Sequence, residues 1–483
     1  MLLNNIIQNI NCLKIIGDTN KEISSVVFDS REVKQGSLFV ALKGTTSDGH
    51  SYIASALNSG AVAILCEDSA NVPSGTTTIL VKNSHYALGV AASEFFGNPS
   101  EKIKLVGITG TNGKTTTVTL LYQLFTKLGY KCGLLSTIAN YIGDKKFEAT
   151  HTTPDPVSIN SLISTMAEFG CEYCFMEVSS HSLDQQRVAG LTFAGAIFSN
   201  ITHDHLDYHK TFIEYIKAKK ILFDNLPADC FALTNIDDKN GLVMVQNCNA
   251  KIHTYSCLSP ASYNCRIIEN SLDGMLLRIG NKEVWTKFIG THNAYNLLAV
   301  YSTAILLGAA QEETLVALSS LESVSGRLEY IKGGQDITAV VDYAHTPDAL
   351  ENVLKTLSDS AAGREIITVF GCGGDRDKTK RPEMAQVSAK YSNKIIVTSD
   401  NPRFEEPEQI IEDIKKGFTL TERARALFIT DRREAIRTAA ALAQPGSLIL
   451  VAGKGHENYQ DVKGVKHHFD DKEIIQEIFD IKQ

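Results

Sequence analysis

The chain has 483 residues, room for about three domains of ordinary size. Hydrophobic residues make up 43 % and charged residues 21 %, which excludes disorder, collagen and coiled coil as descriptions of the whole chain. A net charge of −8 denies it the basic field of a general nucleic-acid binder but leaves room for a small anionic ligand held by local groups.

No basic segment precedes the apolar run in residues 1–16, and Asn4, Asn5, Gln8, Asn9 and Asn11 interrupt it, so it does not read as a secretory signal. From about Ser24 to Phe96, strands are expected at 26–28, 38–42, 62–65 and 77–81, with a short helix at 52–59 stopped by Gly60. Residues 97–104, containing Asn98-Pro99-Ser100, read as a linker. A second block opens with a strand at 103–106, has further strands at 173–178 and 194–200, and ends near Ser325-Gly326-Arg327. The longest fairly apolar stretch, 297–310, is shorter than the ~18 residues of a membrane span. The ten cysteines are scattered; only Cys171 and Cys174 form a CxxC, and no second pair completes a zinc site. Reduced thiols in a cytoplasmic protein are the expectation.

Residues 107–116 run from a strand through a Gly/Thr loop into a helix expected at 117–128. Glycines let backbone N–H groups close around phosphate oxygens, Lys114 supplies a point charge, and the Thr115 hydroxyl suits Mg²⁺. Gly107 lies one residue too far from Gly113 for the standard spacing, so the loop is a variant. The guanine-reading tetrapeptide Asn-Lys-x-Asp is absent, which favours adenine.

Glu177 ends a strand, where an acid can hold Mg²⁺ beside a phosphate loop. His203-Asp204-His205-Leu206-Asp207 follows the next strand and reads equally well as a solvated loop or a metal cluster. On a helix from Thr211, Lys219 shares an apolar stripe with Phe212, Ile216 and Phe223, while Lys217 and Lys220 fall off it. A lysine on an apolar face must be paired, neutralised, modified or snorkelling to the surface.

The third block carries apolar strands at 337–343, 366–370, 395–398, 426–429 and 448–451 with helices between them, the pattern of a parallel sheet covered on both faces. Polar clusters at 342–347, 371–382, 400–403 and 453–457 each follow one of these strands, where open α/β sheets bind ligands. A dinucleotide fingerprint at 371–374 fails because Arg376 stands where its last glycine belongs.

Taken together, Gly110–Thr116, Glu177-Val178-Ser179-Ser180-His181, Asp204-His205-Leu206-Asp207, Gly290-Thr291-His292-Asn293-Ala294-Tyr295-Asn296 and Gly326-Arg327 resemble the Mur ligase family, the ATP-dependent amino-acid-adding enzymes of peptidoglycan synthesis. Asp29-Ser30-Arg31, Thr152-Thr153-Pro154, the segment 371–377 and Gly453-Lys454-Gly455-His456-Glu457 resemble the branch that acts on UDP-N-acetylmuramoyl-L-Ala-D-Glu. Asp400-Asn401-Pro402-Arg403 resembles its meso-diaminopimelate-adding members.

The resemblance implies an α/β chain of three domains: 1–101 for the UDP-sugar, 102–330 with a P-loop-type ATP site, and 331–483, Rossmann-like, for the amino acid. It implies that Gly110, Thr111, Asn112, Gly113, Lys114, Thr115 and Thr116 hold ATP, with Asn293 and Asn296 at adenine and Arg327 and Asp342 at phosphates and ribose. Thr115, Glu177 and His205 would serve two Mg²⁺ ions, joined by Lys219 as a carbamate made from CO₂. Phe28, Ser30, Thr46, Ser47 and Asp48 would hold the uridine diphosphate end, and Thr152, Thr153, Ser179, Gln185 and Arg187 the muramoyl dipeptide. Arg376, Asp400, Asn401, Pro402, Arg403, Gly453 and Glu457 would receive diaminopimelate, with Arg403 gripping its second carboxylate.

The implied reaction passes the ATP γ-phosphate to the D-Glu γ-carboxylate, and the incoming amine then displaces phosphate from the acyl phosphate. A monomer without nucleic-acid partner or membrane span is expected. Folylpolyglutamate synthase, which shares the central domain, is the nearest rival, but it has no use for a first block carrying Asp29-Ser30-Arg31.

Overall fold

Runs of apolar and β-branched residues too hydrophobic to face water on either side organise the chain into three main sheets. The computed structural model describes residues 1–44, 47–149, 151–360 and 363–480. In the first sheet five strands lie in the order Cys12–Ile16, Thr77–Val81, Ala61–Cys66, Ser37–Val40 and Ser25–Val27. All are parallel except the edge strand Cys12–Ile16. That strand and the helix Ser84–Phe95 lie beyond the sequence expectation. Leu13, Ile15 and Ile16 are all exposed, so the strand lacks an inward–outward alternation. The helix is buried around nearly its whole girth, which erases the periodicity of an amphipathic face.

The second sheet has eleven strands. Its parallel centre runs Lys251–Ser256, Phe231–Asn235, Gly195–Phe198, Lys104–Thr109, Tyr173–Glu177, Cys132–Leu135. Lys104–Thr109 sends Val106 and Ile108 to one face, against Val118 and Leu121 of the helix Lys114–Lys127 and Leu297 of Thr291–Leu306. It sends Leu105 to the other, the face covered by Ile159 and Ile163 of Pro156–Glu168 and Leu222 of Phe212–Asp224. A meander of Tyr263–Ser271, Gly274–Ile279 and Lys282–Thr286 extends one edge, and Asn140–Ile142 with Lys145–Phe147 the other.

In the third sheet the order is Glu329–Lys332, Thr338–Asp342, Leu448–Ala452, Ile366–Phe370, Lys394–Val397, Ala426–Phe428, parallel apart from the first. Because Glu329–Lys332 pairs with Thr338–Asp342, this sheet starts two residues before the boundary expected at 331. Val340, Leu450 and Ile395 pack toward Leu350, Leu354 and Ile414, while Val341, Val451 and Ile367 pack toward Ala435, Ile436 and Ile475. Leu448–Ala452 sits between strands made earlier in the chain, which creates the switch point where ligands bind in open α/β sheets. The chain is thus a three-domain α/β protein with parallel-rich sheets. Among the described residues no helix is long and apolar enough to cross a membrane.

Candidate active site

Two glycines at positive φ close the loop after Lys104–Thr109: Gly110 at 153° and Gly113 at 86°. A Cβ would lie 1.9 Å from Ser199 Oγ at Gly110 and 2.5 Å from Asn296 Oδ1 at Gly113, so neither position accepts a side chain. Gly107 sits inside the strand, where a Cβ would meet the Phe193 ring at 2.8 Å; it serves packing, and the loop proper begins at Gly110. The helix starts at Lys114, three residues ahead of expectation, which turns the N–H groups of its first turn toward the loop.

Lys114 Nζ donates to the carbonyls of Gly110 and Thr111, both at 2.9 Å. Burial pushes its pKa down, and Glu177 and Asp204 oppose that. Thr111 Oγ1 meets the Tyr215 hydroxyl at 3.1 Å, and the Asn112 N–H donates to Asn200 Oδ1 at 2.9 Å. Thr115 and Thr116 are buried. Arg327, from the far side of the cleft, donates through Nη2 to Thr115 Oγ1 at 3.3 Å, and its Nε has no partner.

Glu177 is buried at the end of Tyr173–Glu177 and accepts from the Thr137 N–H at 2.8 Å. Around it Thr152, Thr153, Ser179, Gln185 and Arg187 form one connected group. Thr137 Oγ1 donates to Thr152 Oγ1 (3.0 Å), Thr153 Oγ1 donates to the Glu177 carbonyl (2.8 Å), and the Ser179 N–H donates to Thr153 Oγ1 (3.1 Å). Arg187 reaches the Thr153 carbonyl at 2.8 Å and Gln185 Oε1 at 2.6 Å.

Lys219 is 1 % exposed, and its Nζ donates to the Gly110 carbonyl at 2.7 Å, above the Tyr215 ring. Burial and then the nearby Lys114 drive its pKa well below the usual lysine range. Lys220, by contrast, is ion-paired with Asp224. The buried face of Phe212–Asp224 centres on Tyr215, Ala218, Lys219 and Leu222, and the expected stripe residues Phe212 and Ile216 lie on its margin. His205 has a left-handed φ of 53°, strained for a residue with a side chain, and its Nε2 lies 3.4 Å from Asp204 Oδ2. Burial and the nearby Lys114 charge lower its pKa against Asp204, and water moderates this because 44 % of its side chain is exposed.

Thr111 to Thr116, Thr137, Thr152, Glu177, Ser179, Asp204, His205 and Arg327 line a cleft of about 580 Å³ between the second and third sheets, while Lys219, Thr153, Gln185 and Arg187 stand behind its wall. Asn293 and Asn296 line it beside the loop, Asn296 Nδ2 donating to Asn293 Oδ1 at 3.1 Å. Asp342 accepts from the N–H groups of Leu328 (2.7 Å) and Ala344 (2.8 Å), which shapes the turn carrying Arg327; burial raises its pKa. A second cleft of about 620 Å³ opens over the third sheet and is lined by Arg376, Asp400, Asn401, Arg403, Gly453 and Glu457. Thr152, Asp204, His205, Tyr343 and His345 line both clefts, so the two lie side by side and share a wall.

Asn401 Nδ2 donates to Glu457 Oε2 at 2.8 Å, and Arg403 Nη1 to the Gly374 carbonyl at 2.7 Å. Arg403 itself holds φ at 52°, fixed between the Asp461 carbonyl (3.0 Å) and the Lys463 N–H (2.7 Å). Pro402 is buried behind it, its carbonyl 1.9 Å from where a Gly374 Cβ would sit, so the segment at 374 must be glycine. Arg376 is exposed at the rim.

Phe28, Ser30, Ser47 and Asp48 lie beyond the carboxyl ends of the parallel neighbours Ser25–Val27 and Ser37–Val40, outside both clefts. Asp48 accepts from the His50 N–H at 3.0 Å and contacts His50 Nδ1 at 2.6 Å. Thr46 falls outside the described residues. Sequence reasoning missed Tyr343, whose ring stacks on the Arg327 guanidinium at 4.5 Å, and Asp348, which accepts from Asn112 Nδ2 at 2.7 Å across the two sheets. Both fall in or beside the strand-end cluster 342–347, the signal that pointed to them. Asp237, which accepts from the Tyr295 hydroxyl at 2.7 Å, was missed because the strand before it was not expected.

Comparison with known proteins agrees with this arrangement. The model of the Mur ligase family catalytic domain matches residues 22–98, that of the Mur ligase middle domain 108–304, and that of the Mur ligase glutamate ligase domain 326–455. The chain is 55 % identical over 483 residues to the UDP-N-acetylmuramoyl-L-alanyl-D-glutamate–2,6-diaminopimelate ligase of Bacteroides fragilis, covering 100 % of both. It is 54 % identical over 481 residues to the protein of the same name from Bacteroides thetaiotaomicron, covering 99 % of this chain and 100 % of that one. A solved structure of a ligase with that name superposes with a TM-score of 0.71 at 32 % identity, covering 99 % of each chain. With identity above half along its entire length, the chain belongs to the Mur ligase family.

Proposed function

We propose that this ligase joins meso-diaminopimelate to the D-Glu γ-carboxylate of UDP-N-acetylmuramoyl-L-Ala-D-Glu at the expense of ATP, through an acyl phosphate. The adjacency of the two clefts carries the reading: a phosphate-type loop and an amino-acid-type pocket share the wall formed by Asp204, His205, Tyr343 and His345. Relatives at 54–55 % identity bearing the corresponding name support it.

The donor set fits ATP and Mg²⁺. The loop carbonyls are taken up by Lys114, which leaves the backbone N–H groups of the helix start for phosphate oxygens. Arg327 keeps an unpartnered buried Nε facing the same cleft. Among the described residues no three His, Cys, Asp or Glu side chains form a metal cage. Thr115, Glu177 and His205 would therefore hold Mg²⁺ together with phosphate and water oxygens, as this ion usually binds. Bound Mg²⁺ neutralises charge on the phosphoryl group in transfer.

Lys114 and Arg327 screen the repulsion between two anionic reactants from opposite sides of the cleft. Thr152, Thr153, Ser179, Gln185 and Arg187 would present the dipeptide carboxylate, and the first sheet, through Phe28, Ser30, Thr46, Ser47 and Asp48, would anchor the uridine diphosphate. Asn293 and Asn296 would face adenine, and Asp342 would hold the turn at the ribose. Asp400, Asn401, Arg403, Gly453 and Glu457, with Arg376 at the rim, would aim the diaminopimelate amine. We place a carbamate on Lys219. A buried lysine with a depressed pKa is a neutral amine, the form that adds CO₂ and loses a proton, and the product is an anion able to join the Mg²⁺ donors. The domains are drawn at 1–101, 102–330 and 331–483, and the enzyme is taken as a cytoplasmic monomer, in keeping with ten free cysteines.

The test is ADP release with and without the UDP-muramoyl dipeptide, offering meso-diaminopimelate and L-lysine separately. Release that ignores the dipeptide, or equal use of both amino acids, would overturn the reading.

A further inference from the structure

Lys454 has no solvent-accessible surface, yet it is not part of the wall of the second cleft. Its ammonium donates to Asn401 Oδ1 at 2.9 Å and to the Tyr459 carbonyl, and stands 3.5 Å from Asp400 Oδ1 and 3.8 Å from Glu457 Oε2. Asn401 is therefore gripped at both ends of its amide, Oδ1 by Lys454 and Nδ2 by Glu457. Asp400 Oδ1 is buried and accepts no hydrogen bond. A buried carboxylate oxygen left without a donor is costly unless a ligand completes it.

The charges around this point can be counted. Asp400 and Glu457 both line the cleft and both approach Lys454, with Arg403 as the other adjacent cation. Arg432 lies beneath but is consumed by Asp471, which takes its Nε and Nη2 at 2.8 and 2.7 Å. Tyr343, Tyr459 and Cys372 are further titratable neighbours, which burial keeps protonated, while Arg376 and Lys380 stand farther along the same cleft and Asp461 adjoins Asn401 through its N–H.

We propose that Lys454 is a positioning residue for the amino-acid substrate. It acts as a resident counter-ion that cancels one of two carboxylate charges and fixes Asn401 and Glu457. One free negative charge then remains for one substrate ammonium, beside one free guanidinium for one substrate carboxylate. The pocket is complementary to a zwitterionic amino-acid head, a statement that rests on reading the second cleft as the amino-acid site. Without Lys454, the facing carboxylates share a proton near neutrality, and that proton competes with the substrate ammonium.

Steady-state kinetics of the full-length enzyme test this in Lys454→Met and Lys454→Met/Glu457→Gln. Diaminopimelate is varied at saturating ATP and muramoyl dipeptide, from about pH 6.5 to 8.5. Lys454→Met is expected to raise the KM for diaminopimelate on the order of 10- to 100-fold and to leave the KM for ATP within about twofold. That raised KM falls as pH rises and the shared proton leaves, whereas the wild-type profile is flat. The double variant, with one carboxylate left, returns to a flat profile. A diaminopimelate KM within twofold of wild type in Lys454→Met, or a double variant that keeps the slope, overturns the proposal. Should Lys454→Met not fold, the double variant, which lacks the uncompensated charge, is expected to fold; its failure as well would make Lys454 a packing residue. A wild type that ignores diaminopimelate would overturn the substrate assignment itself, and is told apart because no variant is needed to see it.

Discussion

Lys114 and Lys219 donate to the same oxygen, the carbonyl of Gly110, at 2.9 and 2.7 Å. Two ammonium groups on one carbonyl repel each other, and the more buried one yields. Burial and then Lys114 drive the Lys219 pKa well below the lysine range, while Glu177 and Asp204 oppose the lowering that burial imposes on Lys114. The first two predictions separate the two lysines.

Lys114→Ala is expected to lower kcat on the order of 100- to 1,000-fold or more, because it removes charge stabilisation from the phosphoryl transfer. The variant should melt close to wild type. ADP-release kinetics beside a thermal melt make the check; near-normal turnover in a folded variant would refute the assignment.

Lys219→Ala is expected to be nearly inactive and to regain part of its rate with formate or acetate, whose carboxylates can enter the vacated space. Lys220→Ala, which loses only the pair with Asp224, should retain activity. Isotope-labelled CO₂ followed by NMR should give a carbamate signal in wild type and none in Lys219→Ala. Full activity in Lys219→Ala, or the signal persisting there, would show that the carbamate belongs elsewhere.

Arg403→Ala is expected to weaken discrimination between diaminopimelate and L-lysine on the order of 100-fold, through lost binding of the second carboxylate worth a few kcal/mol. Its backbone is clamped by Asp461 and Lys463 in a left-handed turn, so the guanidinium starts from a fixed base. The ratio of kcat/KM for the two amino acids reads the effect. An unchanged ratio would remove Arg403 as selector.

Stability is expected to fall as pH drops from about 6.5 toward 4. His181, His292 and His345 are pushed down to about 4 and His456 to about 3, each chiefly by burial. In this window the unfolded chain binds protons that the folded one refuses, so acid favours unfolding; above the unfolded value the contribution is complete. The raised carboxyls of Asp342, Asp348 and Glu457 act in the opposite sense, taking up protons in the folded chain above the ordinary carboxylate range, and offset part of the loss. Urea midpoints at several pH values would show it, and a flat midpoint across the window would count against buried neutral imidazoles.

The parallel strands of the third sheet were legible because both their faces are covered, which leaves short unbroken apolar runs such as Ile366–Phe370, whereas Cys132–Leu135, Phe231–Asn235 and Lys251–Ser256 of the second sheet were not expected. The meander of Tyr263–Ser271, Gly274–Ile279 and Lys282–Thr286 was not, since Arg266, Glu269, Arg278 and Glu283 give its half-exposed strands a polar look. At the site, the strand-end clusters and the Lys219 stripe could be read from spacing, whereas the individual partners could not. Tyr343 joins Arg327 to Glu457, its hydroxyl donating to Glu457 Oε1 at 3.4 Å, across more than a hundred residues of chain. Lys454 looks like any surface lysine between two glycines until the fold buries it.

The strand Leu448–Ala452 occupies the middle of the third sheet although it is the last of that sheet's parallel strands to leave the ribosome. Until it arrives, Thr338–Asp342 has no parallel partner, and Ile366–Phe370 is open along one edge. The third domain therefore assembles by insertion into a waiting gap, a long-range closure that is slow and leaves strand edges exposed meanwhile. A chain truncated before this strand can still complete the phosphate loop of the second sheet, but it has neither Gly453 nor Glu457 to shape an acceptor pocket. The order of synthesis thus completes the loop of the second sheet early and leaves the second cleft without Gly453 and Glu457 until the message is nearly finished.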